Sequence, residues 1–113
     1  MIGLVETKEF EERSERFLTE DERTALLTFL AQRPDAGVVI PETGGVRKLR
    51  WSARGQGKRG GVRVIYYFHN LDMPLVLITI YAKGEKDDLT AQEKRTIRRG
   101  IPQFIQEYLR SKK

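Results

Sequence analysis

The run LVLITIYA, from Leu75 to Ala82, is apolar at every position except Thr79. A strand with one wet face alternates apolar and polar residues. This run does not, so it reads as a central or helix-covered strand. Ahead of it, VRVIYYF sets Val64, Tyr66 and Phe68 on one face and Arg63, Ile65 and Tyr67 on the other, and Asn70 to Pro74 turns the chain. Further upstream, Val46, Lys48 and Arg50 alternate with Arg47, Leu49 and Trp51, and a glycine-rich loop from Arg54 to Gly61 follows. Three consecutive antiparallel strands are the expectation.

Helical spacing frames these strands. An apolar stretch from Ile2 to Val5 suits an edge strand, and Thr7 can cap a short helix carrying Phe10, Phe17 and Leu18. Thr19 and Glu22 form a capping box ahead of Ala25, Leu26, Phe29 and Leu30, and the helix runs to Arg33, before Pro34. Asp35 to Gly45 reads as a loop with a brief extended piece at Val38 to Ile40. Thr90 and Glu93 repeat the capping box before Ile97, Ile101, Phe104, Ile105 and Tyr108, while Gly100 and Pro102 predict a kink or break near Arg99. The order β-α-α-β-β-β-α defines an α+β fold, a small antiparallel or mixed sheet with helices packed on one face. Residues 1–113 form one domain.

Cysteine is absent and histidine occurs once, so neither a disulfide framework nor a transition-metal centre is expected, and a reducing cytoplasmic setting suits the chain. Neither a secretory signal nor an apolar run of the roughly 20 residues needed for a membrane span is present. Charge is unevenly placed. From Met1 to Glu42 acidic residues outnumber basic ones ten to five, whereas Thr43 to Leu71 holds seven basic residues and no acidic one. Those seven are Arg47, Lys48, Arg50, Arg54, Lys58, Arg59 and Arg63. A basic block on strands and a loop is a footprint of phosphate contact, although charge runs are commonly only a solvated surface.

Two motif matches carry no weight. Gly55, Gly57 and Gly60 satisfy G-x-G-x-x-G, and Val62 extends it toward the kinase pattern. A dinucleotide site needs a helix opening at those glycines, and a strand follows instead. A kinase needs further loops that a chain of 113 residues cannot hold. His69, at a strand end, reads as structural. Strand alternation does join Lys48, Arg50 and Arg63 on one face, with Lys58 hung over it from the loop and Lys83 at its border. Leu49, Trp51, Val64, Tyr66 and Phe68 would then face the helices.

The ordered series RKLRW, a glycine loop with a lysine, GVRVIYYF, a short turn, then LITIYAK followed by acidic residues and DLT resembles the RelE/HigB toxins, closest to their HigB-type branch. The likeness runs from about Val46 to Glu93. It implies a concave basic sheet face that enters the ribosomal decoding site and cleaves messenger RNA, and a cognate antitoxin protein as partner. By position, Lys48 and Arg50 match the strand pair that positions RNA phosphates, Arg63 the arginine opening the next strand, and Lys83 the basic residue ending the last strand. Where well-known members carry a following arginine and a tyrosine a few positions on, this chain has Gly84 and the Leu89–Thr90 region. Lysines and arginines would then share the work.

The chemistry expected is attack by the RNA 2′-hydroxyl on the adjacent phosphate, without metal or cofactor. Negative charge accumulates on the phosphorane oxygens, so fixed cations are the groups required. Arg63 and Lys58 are assigned that role and Lys83 or Lys48 the role of base, lowered in pKa by neighbouring cations. Arg47, Arg50, Arg54, Arg59 and Tyr81 are assigned to RNA contact. Arg63 is expected to face solvent and to be replaceable without loss of fold. The alternative is a non-catalytic module that binds RNA, DNA or the ribosome.

Overall fold

A computed structural model describes residues 2–53, 61–86 and 88–111. The elements are β1 (Leu4–Glu6), α1 (Lys8–Phe17), α2 (Glu20–Gln32), β2 (Val38–Val39), β3 (Val46–Trp51), β4 (Val62–Tyr67), β5 (Leu75–Ala82) and α3 (Ala91–Ser111). The five strands form one mixed sheet in the order β1-β5-β4-β3-β2. β3, β4 and β5 are consecutive antiparallel neighbours, β2 adds antiparallel to β3, and β1 lies parallel to β5 at the opposite edge. Central position explains why β4 is buried along its whole length.

Local chemistry sets the helix starts. Thr7 Oγ1 accepts from the Phe10 amide, and Thr19 with Glu22 closes the reciprocal capping box ahead of α2. Thr90 Oγ1 accepts from the Glu93 amide at 3.1 Å while Glu93 Oε1 accepts from the Thr90 amide at 2.8 Å, so α3 begins on a capping box as well. The break expected near Arg99 is not formed, and α3 is one 21-residue helix across Gly100 and Pro102. Proline removes a single donor, and the flanking turns retain theirs.

The helices do not share one face of the sheet. Phe10, Leu18, Leu26 and Leu30 of the α1–α2 layer pack with Val62, Val64, Tyr66, Leu77 and Ile80. Ile97, Ile101, Phe104 and Ile105 of α3 pack on the other side, against Val46, Ile65, Tyr67 and Val76. The expectation of a one-sided helical layer is therefore corrected: half of the second face is apolar, and only a helix on that side removes it from water. α3 nonetheless contains no fully buried residue.

β5 holds both cores through an irregularity. Thr79 pairs with Ile65 and Leu77 with Tyr66, which leaves Ile78 as an extra residue between them. The bulge returns Ile80 to the α1–α2 side and Tyr81 to the other. The Ile78 carbonyl accepts from Thr7 Oγ1 at 2.7 Å, so the residue that caps α1 also satisfies the bulge. Two residues on, the Ile80 carbonyl accepts from Arg13 Nε at 2.7 Å. Where β1 ends, side chains of α1 and its cap take over the β5 edge.

Candidate nucleic-acid interface

Register places the expected cations in rows. Arg50, Arg63 and Tyr81 are Cα partners across β3, β4 and β5, and the next row is Lys48, Ile65 and Thr79. Beyond it lie Val46, Tyr67 and Val76, which share one apolar cluster beneath α3 with Ile65 and Tyr81 of the two rows. The cations of this face, Lys48, Arg50 and Arg63, thus border the apolar cluster that α3 covers. Arg50 and Lys83 are exposed and Lys48 is half-buried. The Lys83 amide donates to the Gly61 carbonyl at 3.2 Å, carrying the β4–β5 pairing past the end of β5. Gly61 is required here, since a Cβ would stand 2.1 Å from the Trp51 carbonyl oxygen.

Three expected residues take other places. Arg63 is 6% exposed, so the solvent-facing position expected for it is corrected; the central strand encloses it. Tyr81 is 1% exposed and lies beneath Lys86, whose Nζ stands 5.0 Å from the ring centroid, so its ring offers no open surface to a base. Arg47 alternates onto the α1–α2 side, where its guanidinium donates to the carbonyls of Gly37 at 2.8 Å and Asp35 at 3.1 Å. It fastens the loop before β2 and does not belong to the cationic face. Lys58, Arg54 and Arg59 lie outside the described residues.

Two charged residues that the sequence reading did not assign join the site. Lys86 Nζ donates to Glu93 Oε2 at 2.6 Å, so the carboxylate that caps α3 also holds a lysine over Tyr81. Burial opposes the charged form of Glu93, but hydrogen bonds from Lys86 and the Thr90 amide prevail and keep its carboxyl below the usual glutamate value. Asp88 Oδ1 lies 3.9 Å from Lys48 Nζ and accepts from the Leu89 amide at 2.8 Å. The acidic stretch after LITIYAK is the signal for the Asp88 contact and the Thr90–Glu93 capping box the one for Glu93, and neither names the lysine its carboxylate meets.

Next to this cluster, a recess of about 460 Å³ is lined by Arg13, Thr79, Tyr81, Glu85, Lys86 and Glu93 among others. Arg13 donates to Glu85 at 2.5 Å and thereby ties α1 to the turn after β5. Among the described residues, no group of three or more His, Asp or Glu side chains is placed to hold a metal ion, and no helix is long and apolar enough to cross a membrane. His69 Nδ1 meets the Tyr67 hydroxyl at 2.8 Å, away from the cationic rows. No protein-family model matches the chain.

Proposed function

We propose that this chain is a metal-independent endoribonuclease of the RelE/HigB kind, a toxin that cleaves messenger RNA on the ribosome and is neutralised by a cognate antitoxin. The observation that carries the reading is the cross-strand row Arg50–Arg63–Tyr81, with Lys48 beside it and Lys83 just past the end of β5, which gathers exposed Arg50 and Lys83 and half-buried Lys48 around a buried arginine. Lys48 and Arg50, two apart on β3, suit consecutive phosphates of a strand laid across the sheet. Arg63 places a fixed cation beneath them, in surroundings where its field is weakly screened. Cations held in this way stabilise the phosphorane, and a single such contact is worth on the order of 100- to 1000-fold in rate.

The reaction joins the 2′-oxygen to phosphorus and releases the 5′-oxygen, leaving a cyclic phosphate and a 5′-hydroxyl. Reaction in the ribosomal decoding site and residence in the cytoplasm belong to the same proposal. A cell-free translation reaction followed by primer extension tests it. Discrete breaks in the message are expected. Inhibited translation with intact message would replace the enzyme with a binding inhibitor, and uninhibited translation would remove both.

A further inference from the structure

We propose, building on the ribonuclease reading above, that Asp88 is the proton acceptor for the attacking 2′-hydroxyl. Attack by a hydroxyl needs a group that removes its proton, and general bases contribute about 100- to 10,000-fold. Lys48 Nζ stands 3.9 Å from Asp88 Oδ1, so a cation for phosphate and a carboxylate that can take a proton meet at the same place. Asp88 is a carboxylate in contact with a member of the cationic rows. Glu85 and Glu93 are engaged instead by Arg13 and Lys86.

The placement of Asp88 suits the task. Oδ1 accepts a hydrogen bond from the Leu89 amide at 2.8 Å and faces Lys48 Nζ at 3.9 Å. Leu89 is itself buried in the core beneath α3, so the backbone that carries the aspartate is anchored. Oδ2 accepts no hydrogen bond among the described residues, and the side chain is half exposed. An acceptor held by one oxygen and open at the other is preorganised for a hydroxyl arriving over Lys48. In the step, the proton passes from the 2′-hydroxyl to Oδ2 as the O2′–P bond forms. The P–O5′ bond breaks, and the 5′-oxygen takes a proton from a neighbouring ammonium or from water.

Single-turnover cleavage of message on programmed ribosomes decides the assignment. Asp88→Asn preserves an acceptor for the Leu89 amide and removes the base; cleavage should fall by about 100-fold or more while ribosome binding is retained. Asp88→Ala should be equally slow and should recover in proportion to added formate, a response that a purely structural aspartate would not give. Wild-type cleavage by Asp88→Asn, or an Asp88→Ala defect that formate leaves unchanged, would overturn the role of Asp88 while the ribonuclease reading stands. Failure of the unsubstituted chain to cleave any message would remove that reading, and this assignment with it.

Discussion

Arg50 and Arg63 are cross-strand partners of the same residue type, and their burial gives them opposite expected responses to substitution. Arg50 is exposed, so Arg50→Ala should change stability by no more than about 0.5 kcal/mol while weakening RNA binding. The slope of log affinity against log salt should become shallower by about one. Arg63→Ala removes a buried side chain and should lower stability by on the order of 1–3 kcal/mol as well as activity, read as a lower urea midpoint. An unchanged midpoint would mean that the enclosure of Arg63 contributes nothing. Alternation along β3 had paired Lys48 with Arg50 correctly, because face membership follows from residue number alone. Depth does not, and that is why Arg63 and Tyr81 were read as surface residues.

The helices were the most legible elements, since a capping box is a contact between residues three apart and needs no tertiary knowledge. The bulge at Ile78 was not legible, because a run apolar on both faces shows no break in alternation when one residue is added. Pro102 does not end α3 for the converse reason: its local cost is visible in the sequence, but the packing of Ile97, Ile101, Phe104 and Ile105 that carries α3 through it is not. Pro102 is exposed and stands inside α3, so Pro102→Ala should restore one backbone donor. Stability should rise by up to about 3 kcal/mol, measured as a higher denaturant midpoint. A fall would show that the proline ring itself supports the helix.

Across the whole molecule, the apolar stripe of α3 announced that the helix must be buried but not on which side of the sheet. The apolar cluster of Val46, Ile65, Tyr67, Val76 and Tyr81 on the second face resolves this, and the cations that border it delimit the candidate site. Acid should loosen the connections around it. The hydrogen bond from Arg13 holds the Glu85 carboxyl below its usual value of 4.5, so the folded state binds its proton less readily than the unfolded chain. The stabilisation is present above that value and is lost as pH falls through the lower folded one. Urea midpoints measured from neutral pH to below 4.5 should therefore drop less steeply for Glu85→Gln, with equal slopes counting against the linkage. One connection sets a different kind of limit. β1 is parallel to β5, Leu4 beside Leu75, so among the described strands the first pairs with the last. A chain growing from its N-terminus carries β1 unpaired through most of its synthesis, and the sheet closes only when β5 has emerged. Truncation anywhere before Leu75 removes the strand that β1 pairs with, so a shortened product keeps at most the β2-β3-β4 part of this sheet.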